Sequence, residues 1–474
     1  MDAGKKFGLN AAIMILITIV IANLPPFGGI TEYGMLVLAV FVAVIYGWFT
    51  LDLIWPSIYG FVAMAVLGIM PMVGALSAGI GHQTVMMLMM AMMFAGALEE
   101  CGFSDMVGTV ILRQPIFQKS PWLLVVGIFV AAFAMGVANA QFAAIILLWS
   151  VVGRIAQMSN IPKDDGLISF VNIFIIILGA GGTMIFPFYG QGIMMQGFYP
   201  IEINFFGFIV FVVGLLWAST LVTLLLAKVV FKLDASKFIL PKDVMDELNA
   251  KTFTKQQKYS FVVFVVYLLA LTAPTVIPNF PGVSMLSSLG IAGVSLVGAM
   301  LMALIHVDGK PLISIANAFR NHLQWPLFLL LAVTFPLADA LKAPETGIFA
   351  AIQAFVVPIV SNMGVVPFVI IAVTALVIIT QFAHNVILAA MFLPLLCPII
   401  EQVAGAQWAV VLWMLIYVCI CSGYCTPAAS LYGGMIYGSE SIHKSWAPKI
   451  TILYTVLLLI VAYAIFIPLG LAIL

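Results

Sequence analysis

Two asparagines stand alone in the most apolar parts of this chain, Asn139 in "VANAQFA" (137–143) and Asn385 in "AHNVILA" (383–389). A carboxamide both donates and accepts hydrogen bonds, so burying one without a partner is costly. Two roles satisfy it. It caps a helix where the chain turns, or it holds a polar solute or a cation. Beside Asn385 stands His384, whose ring changes charge near neutral pH. An ionisable group at membrane depth is a functional candidate. His384 therefore reads as a proton carrier or as positive charge for an anion, against a neutral ring bonded to a hairpin carbonyl. Gln141 and Gln381 flank the two asparagines and extend the polar set.

Two further stretches carry their chemistry in the backbone. "LGAGGTMIFP" (178–187) and "CSGYCTPAAS" (421–430) place Gly182-Thr183 and Thr426-Pro427 in the middle of otherwise helical runs. Gly and Pro weaken the helical ladder, so both runs are expected to unwind there. Half-helix N-termini attract anions, and freed carbonyls hold cations. In each stretch the threonine precedes a Tyr-Gly pair by six residues, Tyr189-Gly190 and Tyr432-Gly433.

The elements that must position these residues lie in a membrane. The chain is 64% hydrophobic and 8% charged, against roughly 25% charged in a soluble domain. Apolar spans are read near 9–24, 33–50, 53–70, 84–101, 121–152, 166–199, 205–230, 259–278, 287–305, 323–341, 364–400, 407–438 and 449–471. The first is kept as a helix, because no small-residue cleavage site follows it. Cys101, Cys397, Cys419, Cys421 and Cys425 sit in apolar surroundings and read as small hydrophobes, with no metal site and no cofactor.

Charge sorts the long runs. If 121–152 and 364–400 each enter and return on one side, every Lys and Arg except Lys342 falls inside, as the positive-inside rule asks. This gives eleven crossings and two re-entrant hairpins, with the N-terminus cytoplasmic and the C-terminus outside. Irregular backbone at membrane depth must be buried or line a cavity, so the hairpin tips point at an interior site. Asp339, Lys342, Glu99 and Glu100 read as interfacial, and His82 and His322 as interface anchors. The charged stretch 231–258 is expected to be a cytoplasmic amphipathic linker touching lipid headgroups. It divides a first repeat, 1–230, from a second, 259–474. The asparagines, the Thr/Tyr-Gly stretches and the segments 81–103 and 321–348 echo each other across it. Five or so crossings per half, an odd number, would make the repeats inverted, a transporter signature.

The chain resembles the divalent anion/Na⁺ symporter (DASS) family of the ion transporter superfamily. The resemblance rests on 51–103, on "MGVANAQFAAIILLW" (135–149) and on "ITQFAHNVILAAMFLPLLCPI" (379–399). It implies an elevator-type transport domain, a homodimer, and dicarboxylates, citrate or sulfate as cargo. In that family the hairpin tips read Ser-Asn-Thr and bind substrate carboxylate and Na⁺. Here they read Ala138-Asn139-Ala140 and His384-Asn385-Val386. The resemblance makes Asn139 and Asn385 substrate ligands, with Ala138, Ala140, His384 and Val386 lining the site. It puts Tyr189 and Tyr432 at the broken-helix positions, where they can offer phenol hydroxyls. Thr183, Thr426 and Pro427 complete the substrate set, and Ala138, Asn139, Gly182, His384 and Asn385 are the candidates for Na⁺ or H⁺ coupling. The lost hydroxyls imply a less polar pocket and a smaller, less charged or more apolar anion.

The expected protein is an all-α polytopic membrane carrier in the inner (plasma) membrane. It moves small organic anions of the carboxylate class by symport or exchange, and handles no nucleic acid. The alternative is a cation/proton antiporter of the same superfamily, which needs a buried carboxylate that the four broken elements lack. No H-E-x-x-H or G-x-S-x-G motif supports an enzyme.

Overall fold

The structure is a computed structural model that describes residues 3–162, 164–187, 191–202, 204–420 and 422–474. Lys163, Tyr189, Gly190 and Cys421, all considered above, lie outside the described residues. Nine of the described helices are long and apolar enough to cross a membrane. The count is ten if Met72–Gly79 and Gln83–Glu100, bent by 51° at their junction, make one span. The chain is an all-α polytopic membrane protein. Its described strands are the two-residue pair His306–Val307 and Lys310–Pro311.

After the first helix, Ala3–Ala22, one order of elements occurs twice. Its first copy opens with Glu32–Thr50, Trp55–Val66, the eight-residue Met72–Gly79 and the 18-residue Gln83–Glu100. Phe103–Leu112 leads into a hairpin (Pro121–Val137, Gln141–Met158), a broken span (Gly166–Gly182, Gln191–Phe198) and the long Phe205–Val230. The second copy opens with Lys255–Val276, Val283–Leu304, the eight-residue Ile315–His322 and the 18-residue Trp325–Lys342. Ile348–Met363 leads into a hairpin (Val365–Thr380, Asn385–Ala404), a broken span (Ala406–Ile420, Leu431–Gly438) and Ala447–Ile473. The packing is reciprocal. Met72–Gly79 lies on Trp325–Lys342, and Ile315–His322 lies on Gln83–Glu100. Glycines permit both approaches: a Cβ at Gly79 would lie 2.3 Å from Ala332 O, and one at Gly96 would lie 2.1 Å from the His322 ring. His322, expected as an interface anchor, pairs through Nε2 with Glu100 at 3.1 Å.

Local chemistry sets the helix starts. Ser120, Asp165 and Asn204 accept from backbone N–H groups of the first turns that follow them, the usual N-cap role. Thr254 and Gln257 form a reciprocal capping box at the head of the second copy. All residues of Gly166–Gly182 are buried, so this helix is surrounded by protein on every side. The two broken spans interlock: Tyr417 OH donates to Met184 O at 3.1 Å, and Trp413 Nε1 to Tyr199 O at 3.0 Å.

Two expectations need correction. Phe103–Leu112 and Ile348–Met363 were not anticipated as elements, because Gly, Gln, Pro358 and polar residues interrupt their apolar runs. The linker is shorter than the 231–258 read from its charge. Its helix is the nine-residue Lys242–Ala250, and Lys255 and Lys258 already belong to the next span. It binds protein as well as facing outward. Arg154 of the first hairpin pairs with Glu247 at 2.6 Å and Asp243 at 3.7 Å. Lys251 pairs with Asp105 at 2.5 Å, and Arg113 Nε donates to Leu248 O at 2.5 Å. Phe238 and Val244 are buried against the core.

Candidate solute-binding site

The first hairpin turns through Ala138, Asn139 and Ala140. Asn139 adopts the left-handed conformation (φ 61°). Its N–H reaches Gly136 O at 2.7 Å, and the Ala140 N–H reaches Met135 O at 3.0 Å. This is a Schellman closure with Asn in place of the usual Gly. Asn tolerates the left-handed region better than other side-chain-bearing residues. The backbone role of Asn139 is therefore a C-terminal cap, and its carboxamide remains free of hydrogen bonds among the described residues.

The tip rests directly on the first break. A Cβ on Gly136 would sit 2.1 Å from Gly179 O, and one on Gly182 would sit 2.3 Å from Phe133 O. Gly182 thus serves close backbone packing of the hairpin, whatever its carbonyl does. The break itself begins at Thr183, whose hydroxyl donates to Ala180 O at 2.7 Å.

The second hairpin turns through residues 381–384. His384 caps Asn385–Ala404, its Nδ1 accepting from Val386 N at 3.4 Å. In a neutral ring this leaves Nε2 as the donor. Asn385 Oδ1 shares the same N–H at 2.9 Å. Gln381 ties the tip to the second break: Nε2 donates to Val377 O (2.8 Å), and Oε1 accepts from Cys425 N (2.9 Å). The Thr426 hydroxyl donates to Gln381 O. Past the break Ser430 caps Leu431–Gly438, accepting from Gly433 N at 3.1 Å and donating to Gly423 O at 2.6 Å.

Both tips and both breaks meet at one cavity of about 610 Å³. Asn139, Thr183, His384, Asn385, Val386 and Tyr432 line it. Ala138 and Ala140 are buried beneath the tip, and Gly182 and Thr426 are engaged in packing and bonding outside the wall. Pro427 lines a separate open groove with Trp149 and Ser439. Tyr189 lies outside the described residues. The wall also includes Gln141, Gln191, Gln324, Trp325 and Ser430. Of these, only Gln141 was singled out in the sequence, for its closeness to Asn139. Gln324 and Trp325 come from a span start far from either tip, and no local pattern marks them.

The electrostatics follow from helix ends. Gln141, Gln191, Trp325, Asn385 and Leu431 are the first residues of five described helices, and all five line the cavity. Each helix N-terminus acts as roughly half a positive charge. No Lys, Arg, Asp or Glu is among the described lining residues. The site offers side-chain amides, one imidazole and helix-start N–H groups set in a largely apolar wall, an arrangement suited to anions.

The fold is an all-α membrane bundle whose broken helices and hairpin tips border one cavity carrying amide groups in an apolar wall, an arrangement that fits a membrane transport protein. The chain belongs to the citrate transporter family CitMHS, whose sequence model matches residues 36–418. Members of that family are transporters and not enzymes. The match takes in both hairpin tips and the first break, while Ser430 and Tyr432 lie beyond it. This family is related to the ion transporter group that the sequence resembles. Comparison with curated proteins returned no match.

Proposed function

We propose that the protein is a secondary carrier for carboxylate anions of the citrate type, driven by an ion gradient or by exchange. The observation that carries this reading is the meeting of five helix N-termini at one cavity with no fixed charge among its described lining residues. Such a site attracts negative charge yet lets it leave, because no lysine or arginine holds the anion there.

The two copies of the element order make an inverted repeat, with 231–254 joining them. The hairpins are re-entrant, one from each face. Lysine and arginine placement puts the N-terminus inside and the C-terminus outside. On that topology Leu53 and the segment 323–327, both at the cavity wall, lie on the cytoplasmic side, so the cavity opens inward. As in the related DASS carriers, the hairpins and broken spans move together as an elevator against the remaining helices, in a homodimer. His384, or a cation held by carbonyls of the breaks, couples transport to H⁺ or Na⁺.

The test is uptake of labelled citrate, malate and succinate into proteoliposomes under H⁺ or Na⁺ gradients, or against preloaded anion. Saturable uptake that Asn139→Asp abolishes is expected, because the added carboxylate repels the cargo. Absence of uptake for every carboxylate under every condition would overturn the reading. Gradient-driven cation exchange by the same vesicles would then establish the antiporter.

A further inference from the structure

The two hairpins hold their amides differently. In the second, both ends of the Gln381 carboxamide are bonded, and Asn385 Oδ1 accepts a backbone N–H. In the first, Gln141 is 7% exposed and its Oε1 has no hydrogen-bond partner. Its Nε2 also makes no hydrogen bond among the described residues. Gln141 is the first residue of Gln141–Met158, and it lines the cavity. A helix N-terminus and an unpaired, buried amide therefore coincide at one point of the wall.

A buried acceptor without a donor is destabilising, and in a native chain it asks what supplies the donor. A carboxylate cannot, since it only accepts. A hydroxyl can. Oε1 is itself shut off from the cavity, but the last torsion of a glutamine is broad and soft, so rotation about it brings Oε1 to the wall that the residue already lines. Nε2 and the first N–H groups of the helix are then placed for a neighbouring carboxylate. We propose that Gln141 reads a hydroxyl group carried beside a carboxylate, so that the site selects hydroxy-carboxylates over their deoxy counterparts. The amide accepts from the hydroxyl and donates to the carboxylate, a two-point contact that neither Asn385 nor Gln381 can duplicate in its present bonding. This inference rests on the carboxylate reading above.

The experiment compares ligand pairs that differ by one hydroxyl, citrate with tricarballylate and malate with succinate. Affinities are measured by calorimetry on the purified full-length protein. The wild type is expected to favour the hydroxylated member by about 5- to 150-fold, the ratio of about 1–3 kcal/mol for leaving an acceptor unpaired. Gln141→Met and Gln141→Leu are expected to bring the ratio close to one by weakening only the hydroxylated ligands. Both should melt at or above the wild-type temperature without ligand, since the orphan acceptor is gone. A wild-type ratio near one overturns the inference even if neither variant folds, as does a large ratio that survives in the variants, which would mean that Oε1 merely holds a water. If the wild type binds all four ligands alike, only this inference fails. If it binds none, the carboxylate reading fails with it.

Discussion

Replacing Gly136 by alanine tests whether the first hairpin tip is held in place by backbone contact with the first break. The new Cβ would lie 2.1 Å from Gly179 O, 2.9 Å from the Gly179 carbonyl carbon and 3.1 Å from the Gly182 Cα. Real Cβ atoms essentially never come within 3.0 Å of a neighbour, so the tip or the break must move by about 1 Å. Backbone cannot swing aside as a side chain does. Overpacking of this kind costs about 1–3 kcal/mol. Asn139 and Gln141 ride on the displaced segment, so the loss should reach the ligand as a drop in affinity of about 5- to 150-fold. The control lies in the same hairpin. Gly153 has nothing within 4 Å of its Cβ position, so Gly153→Ala should gain up to about 1 kcal/mol of helix stability. Thermal melting and citrate uptake of the two variants, side by side, make the assay. If Gly136→Ala matches Gly153→Ala in both, the tip does not rest on the break and the packing account is wrong.

Gln381→Leu should lower stability by about 1 kcal/mol, because it strands the half-buried Cys425 N–H; melting measures it, and an unchanged melting temperature contradicts the tie between hairpin and break. Arg154→Glu should lower stability only slightly, since the pair is solvent-exposed and its partners Asp243 and Glu247 are well exposed. Adding Glu247→Arg should restore part of that loss in a double-mutant cycle, and no coupling would remove the linker's charge contact as a stabilising feature. His384→Asn keeps an N-cap side chain and so should fold normally, but it should flatten the pH dependence of uptake. An unaltered pH profile would take His384 out of proton coupling.

Much of the architecture was legible in the chain because lipid simplifies the rules. Unpaired backbone is forbidden in the bilayer core, so overlong apolar runs with a lone Asn or a Gly-Thr-Pro cluster had to fold back or break. The hairpin turns at 138–140 and 381–384 and the helix ends at Gly182 and Ile420 lie where those signals stand. Phe103–Leu112 and Ile348–Met363 were hidden because they are shorter than a membrane span, and Gly, Gln and Pro358 break up their apolar pattern. The linker's grip on Arg113 and Arg154 was hidden because charged stretches look alike whether they face headgroups or protein.

The sequence by itself determined that this is a polytopic all-α membrane protein, and which polar residues are trapped in its apolar runs, since composition and periodicity act locally. Only the tertiary structure decided which of those residues share a wall and which are spent on packing. Gln141 and Gln381 are the same residue type near the two asparagines, yet Oε1 of one is unpaired and the other is bonded both to its own helix and to a distant break. Gly182 and Thr426 lie in similar clusters but serve backbone contact and a carbonyl bond. A hydrogen bond or a close approach between segments tens to hundreds of residues apart depends on how the helices cross. That crossing is fixed by the whole set of contacts and not by any one stretch of chain.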